Sequence, residues 1–224
     1  MEHDPRRSTG GNRRGRRSRE EILEVASRLM AERGYAATSL SVLGAETGLP
    51  KSAVYHHFHS KAGLLTAVME RGLHDFFHAM REAHANPPSG GTHRERMAWY
   101  LERTGEVFTA RQEFLRLHMI LILSAEAEEV EVADTITKVR DEGRLLMNTM
   151  IRSTFSDLGD EIAAAVADEL DHFGIAGFDG AFIAMQADPS RALGGPNAHL
   201  AEALVLLGER IAARLRDGGD PVSP

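Results

Sequence analysis

Apolar residues recur at helical spacing along almost the whole chain. Ile22, Val25, Ala26 and Leu29 stand at i, i+3, i+4 and i+7, one stripe of an amphipathic helix. Ser18 is placed to cap that helix, Glu20 and Glu21 fall in its first turn, and Gly34 after Arg33 is placed to end it. Thr38 or Ser39 then caps a short helix to about Thr47, Gly48-Leu49 makes a turn, and Pro50 opens a second short helix to about His57. Ser60 caps a longer helix carrying Leu64, Leu65, Val68, Leu73, Phe76, Phe77 and Met80, which continues to about His84. Residues 86–91 (NPPSGG) break the pattern. Beyond them the periodicity predicts helices at about 93–110, 112–125, 129–155, 158–187 and 197–216, with a loop over 187–196. No alternating strand pattern and no repeat period interrupts this, so the predicted fold class is all-α.

Residues 1–17 carry no large apolar side chain after Met1 and are rich in arginine and glycine. They cannot offset their ordering entropy by burial, which predicts a disordered arm. A domain over 18–65 and a second over 66–224 follow. A chain of 224 residues is long enough for two modest domains with real cores. It has no cysteine, which excludes disulfides, thiol catalysis and cysteine-based metal sites. Its longest uninterrupted aliphatic run, residues 119–123, is far short of the roughly 18 residues a membrane span needs. The arginine-rich start lacks the apolar segment of a secretory signal. These features predict a soluble, cytoplasmic protein with no membrane partner.

The formal charge of −7 conceals an asymmetry: residues 1–75 carry +3 and the remainder −10. Seven of the positive charges are arginines within residues 1–19. A basic front on an acidic body predicts a polyanion partner for the front alone.

Two short helices joined by a glycine turn and braced by a third are the parts of a helix-turn-helix. Leu40, Leu43, Val54 and Phe58 supply the apolar faces such a unit must bury, and Lys51, Ser52, Ala53, Tyr55 and His56 supply small or polar outward positions. The same pattern also serves ordinary all-α packing, and the basic arm ahead of it favours DNA.

The residues Gly34-Tyr35, Thr38-Ser39-Leu40, Leu43, Gly48-Leu49, Tyr55-His56-His57-Phe58, Ser60-Lys61 and Leu64-Leu65 resemble the signature of the TetR family of one-component bacterial transcriptional regulators. The resemblance covers residues 18–66. It implies an all-α chain with an N-terminal three-helix DNA-binding domain and a helical bundle for effector binding and dimerisation. It implies that Thr38 bonds a phosphate, that Lys51, Ser52 and Ala53 face base edges, and that Tyr55, His57 and Lys61 touch phosphates, with His56 on the same face. Pro50 stands where a capping serine is common, and Gly44 replaces a usual alanine, loosening its helix. Arg16 and Arg17 read either as part of a solvated tail or as part of an arm tracking phosphates or the minor groove; their place beside the DNA module favours the second.

His56, His57 and His59 diverge around a helix and do not converge on one ion, and His74 and His78 lack completing carboxylates, so no metal is expected. No cofactor motif and no nucleophile–base signature is present. In the rear domain the bulky residues Trp99, Phe108, Phe114, Met119, Met147, Met150 and Phe155, interleaved with Tyr100, Arg103, Arg116 and His118, predict a pocket for a small apolar effector. Each of them serves equally as plain core. Ile162, Val166, Leu170 and Phe173, and Leu200, Leu204, Leu207, Ile211 and Leu215, are stripes facing either the chain's own core or a second copy; the family resemblance favours a homodimer.

The expected function is a homodimeric, ligand-responsive repressor on a palindromic operator in double-stranded DNA, released when a small molecule shifts the fourth helix. The rivals are a DNA-binding activator or architectural protein without an effector, and a helical enzyme or partner-binding protein of the same fold.

Overall fold

A computed structural model describes residues 8–124, 130–188 and 194–218. Among these residues the regular structure is helical, with no strand. The elements are α1 (Ser8–Arg33), α2 (Leu40–Thr47), α3 (Lys51–Phe58), α4 (Lys61–Ala83), α5 (His93–Ala110), α6 (Gln112–Ile122), α7 (Val130–Thr154), α8 (Asp160–Ala187) and α9 (Gly194–Arg216), with a 3-10 turn, Ser156–Leu158, between α7 and α8.

The largest departure from expectation is at the front. α1 begins at Ser8, so residues 8–17 of the expected disordered arm are helical and Ser18 is an interior residue, not a cap. Ile22, Leu23, Ala26, Leu29 and Met30 are buried and anchor this helix. Extending a helix already nucleated adds one hydrogen bond per residue fixed, and arginine is a good helix former. The rest of the expected arm, residues 1–7, lies outside the described residues.

The chain divides into two compact units whose segments interleave: residues 1–75 with 111–137, and residues 76–110 with 138–224. In the first, α1, α2 and α3 pack together around Ile22, Leu29, Leu43 and Val54, each fully buried. α6, expected in the rear domain, belongs here and packs on α1. Its buried residues Phe114, Leu115, Leu117 and Leu121 need an apolar wall. The Phe114 ring fits where Gly72 of α4 has no side chain; a Cβ there would lie 2.4 Å from it.

In the second unit α9 packs on both α5 and α8. Phe108 lies 5.6 Å from Phe76 and 5.1 Å from Phe178, ring centroid to centroid, tilted contacts that add about 0.5–1.5 kcal/mol each beyond burial. The start of α5 is tied down by charge. His93 meets Asp157 and Glu209, each at 3.1 Å, through its two ring nitrogens, and Arg96 donates to Asp157 at 2.7 Å. α7 and α8 are joined by Arg140 donating to Asp179 at 2.6 Å and by Met147 seated against Gly174.

Candidate nucleic-acid interface

The turn from α1 to α2 is closed by local hydrogen bonds. Gly34 takes φ +82° and donates to the Met30 carbonyl at 3.0 Å, ending α1 in the left-handed geometry that glycine tolerates. Thr38 donates its amide to Tyr35 O at 3.1 Å and its hydroxyl to Gly34 O at 3.0 Å, and is 1% exposed. The hydroxyl expected to bond a phosphate is therefore spent inside the turn. Ser39, exposed, is the N-cap of α2 and accepts the Val42 amide at 3.2 Å.

Between α2 and α3, Gly48 is left-handed at φ 67°. Thr47 donates to Leu43 O at 2.7 Å and accepts the Leu49 amide at 3.3 Å, which tightens the corner. A Cβ at Gly44 would lie 2.9 Å from the Leu49 carbonyl. Far from loosening α2, glycine at this position lets the turn close against it. Pro50 sits at the N-cap of α3 and supplies no side-chain bond, as its chemistry requires.

α3 is anchored by Val54, 0% exposed, and Phe58, 5% exposed. Those two anchors turn the opposite face outward: Lys51, Ser52, Tyr55 and His56 are exposed, and Ala53 and His57 half-buried. Leu40, expected as core, is half-buried because it opens α2 at the edge of the unit. Two long-range contacts escaped the sequence reading. The Arg19 guanidinium lies 5.3 Å from the Phe58 ring centroid, and the Lys61 ammonium donates to Ala36 O at 2.9 Å while standing 4.3 Å from the Tyr35 ring centroid. Arg16 and Arg17 are exposed on α1. Burial lowers the pKa of His57, and the neighbouring His56 and Arg19 push it the same way. Among the described residues no group of three or more His, Asp or Glu side chains is placed to hold a metal ion.

Residues 22–68 match the family described as bacterial regulatory proteins, tetR family. The chain belongs to the TetR family by this front domain. It is 35% identical over 83 residues to the transcriptional activator FasR of Mycolicibacterium smegmatis, a match covering 35% of this chain and 38% of FasR. It is 35% identical over 82 residues to the transcriptional repressor KstR2 of Rhodococcus jostii, covering 37% and 39% respectively. The matched segments thus span under two fifths of those relatives. A transcriptional regulator from Saccharomonospora viridis, solved in complex with choline, shares the fold with a TM-score of 0.66, 22% identity and coverage of 83% of this chain and 94% of that one. No helix among the described residues is long and apolar enough to cross a membrane.

The residues expected to line an effector pocket divide between the two units of this TetR-family chain. Phe114, His118 and Met119 belong to the first, where Phe114 and His118 stack at 6.4 Å and 10°. The other seven belong to the second. There Tyr100 donates to Ser153 at 2.8 Å, and Thr104 donates to Tyr100 O at 2.9 Å and lies 3.1 Å from the His84 ring. Phe108 is buried in the aromatic cluster described above. Met147, Met150 and Phe155 are buried, Trp99 is half-buried, and Arg103 is exposed beside Trp99 and Glu106. Burial lowers the pKa of His84, partly countered by its hydrogen bond to the Tyr100 backbone.

The expected dimer stripe needs correction. Val166, Leu170, Leu200, Leu204 and Ile211 are buried within this chain, and Ile162 is half-buried. Leu200 fills the space left open at Gly177, as Met147 does at Gly174, so the small residues of α8 serve packing inside the subunit. Phe173 and Leu207 alone of that set are exposed. They continue into an apolar surface of Ala176, Gly180, Ile183 and Ala184 on α8 and Leu206 on α9.

Proposed function

We propose that this chain is a sequence-specific DNA-binding transcriptional regulator: a homodimeric repressor on a palindromic operator, released by a small apolar molecule. The observation that carries the reading is the outward row on α3. Lys51, Ser52, Tyr55 and His56 are exposed on a helix pinned by Val54 and Phe58, and an amphipathic eight-residue helix with that row suits a major groove. Lys51, Ser52 and Ala53 meet base edges; a lysine can donate to guanine, and the Ala53 methyl can pack on a thymine methyl. Tyr55 and His57 meet phosphates, His56 faces the same surface, and Arg16 and Arg17 add phosphate contacts from α1.

Two half-sites one helical turn apart require two copies of the reading helix. Phe173, Ile183, Leu206 and Leu207 are exposed large apolar residues on two helices of one unit, which supports pairing of that surface with its symmetry mate. For the effector, the buried Tyr100–Ser153 and Thr104–His84 pairs amid Met147 and Met150 are the polar anchors of an otherwise apolar interior. The ligand needs only a differential affinity for two spacings of the reading heads. The rear interior is also well filled, with Tyr100, Met147, Met150 and Phe155 each at most 5% exposed. That favours, as the second reading, a DNA-binding activator or architectural protein without an effector.

The test is retention of a mixed-sequence duplex by the wild-type chain and by Lys51→Ala and Tyr55→Ala. The reading expects each variant to bind more weakly while keeping the same helix content. Equal retention by all three removes α3 from the interface. A compound that changes duplex affinity separates the first reading from the second.

A further inference from the structure

We propose that Lys61 is a positioning residue of the DNA-binding domain and not one of its phosphate contacts: its ammonium holds the α1–α2 turn in the shape that presents Ala36, Ala37 and Ser39 outward. Lys61 opens α4, and its Nζ reaches 25 residues back to donate to the Ala36 carbonyl at 2.9 Å. The same ammonium stands 4.3 Å from the Tyr35 ring centroid. Tyr35 is 8% exposed, so the ring is a fixed platform. The turn it grips is otherwise closed only by short-range bonds, from Gly34 to Met30 and from Thr38 to Tyr35 and Gly34. Those bonds shape the turn, and the lysine registers it against the start of α4. That start is itself fixed to the end of α3, because Ser60 caps α4 by accepting the Gly63 amide at 2.8 Å. Through Lys61 the exposed edge ahead of α2 and the outward row of α3 are held in one register. An ammonium that swung out to a phosphate would give up both the carbonyl and the ring.

This inference rests on the DNA-binding reading above. Its test is the affinity of Lys61→Met, Lys61→Arg and the wild-type chain for a mixed-sequence duplex about three helical turns long, measured between about 50 and 200 mM salt. Methionine keeps the apolar stem and loses the charge. The expected result is a loss on the order of tenfold in Lys61→Met at fixed salt, with the slope of log affinity against log salt unchanged and with recovery in Lys61→Arg. A slope shallower by about 0.9 makes Lys61 a direct phosphate contact and overturns the proposal. Unchanged affinity overturns it too, leaving a contact of purely structural value. A second measurement is the cycle with Tyr35→Leu: losses that add independently contradict action through the ring, and losses smaller than additive support it. If the wild-type chain binds no duplex even at low salt, the DNA-binding reading fails first, and this proposal with it.

Discussion

Replacing His59 by glycine and by alanine asks whether the corner between α3 and α4 stores backbone strain. His59 is the one described non-glycine residue with positive φ, at φ 61° and ψ −37°. A side chain in such a region costs about 1–3 kcal/mol. The corner persists because its neighbours over-determine it. His59 donates to Tyr55 O at 2.8 Å, Ser60 donates to Phe58 O at 2.7 Å, and Phe58 is buried. Glycine removes the penalty and gives back about 0.5–1 kcal/mol through the greater freedom of its unfolded chain. The net expectation is a gain of about 1 kcal/mol for His59→Gly. Alanine keeps the Cβ and the strain, and the ring it removes is exposed, so His59→Ala should stay within about 0.5 kcal/mol of wild type. The order of the two variants is thus the reverse of that at an unstrained helical site, where alanine exceeds glycine by up to about 1 kcal/mol. Urea midpoints at unchanged slope report the difference; in a chain of this size 1 kcal/mol corresponds to about 2–4 °C in Tm. Alanine as stable as glycine, or more so, refutes the strain argument.

Three further outcomes follow from other parts of the chain. The pKa of His84 is lowered from 6.5 by burial, so the unfolded chain takes up its proton first: the stability due to neutral His84 is present above about pH 6.5 and declines as pH falls toward its folded pKa. His84→Gln should flatten unfolding free energy against pH over that interval, and an unchanged acid limb contradicts the assignment. Tyr100→Phe deletes the hydroxyl that donates to Ser153, with an expected cost of about 1 kcal/mol in thermal or urea unfolding; a neutral result means that water replaces it freely. Phe173→Glu with Leu206→Glu places charges on two exposed apolar sites and should yield a folded monomer by sedimentation, whereas Leu204→Ala, in the buried row, should cost about 2–5 kcal/mol of stability. A dimer that survives the glutamates moves the self-association surface elsewhere.

The helices of the front domain were legible because their signals are local. Leu43, Val54 and Phe58 are buried at the positions their spacing requires, and Gly48 turns the chain where its freedom is needed. What escaped was non-local. Nothing in residues near Lys61 announces the Ala36 carbonyl 25 positions away, nor does α1 announce that Arg19 lies over Phe58. Thr38 and Ser39 are adjacent hydroxyl residues, and only the path of the turn decides that one is spent inward and the other caps α2. On α8 and α9 the apolar residues occupy more than one face, so spacing alone could not separate Leu170 and Leu204, which are buried, from Phe173 and Leu207, which are exposed. Placing α6 with the front unit likewise depends on Gly72 leaving room for Phe114, a fit between residues 42 positions apart.

The measurement that bears most directly on the central claim is selection of bound duplexes from a random pool by the full chain at near-physiological salt. Non-specific phosphate binding is weak there, and sequence preference decides what is retained. The account predicts enrichment of a palindrome with half-sites about 10 base pairs apart, or a near-turn multiple of that spacing, and loss of that enrichment in Tyr55→Ala. A pool that stays flat, or an enriched sequence indifferent to Tyr55, contradicts it.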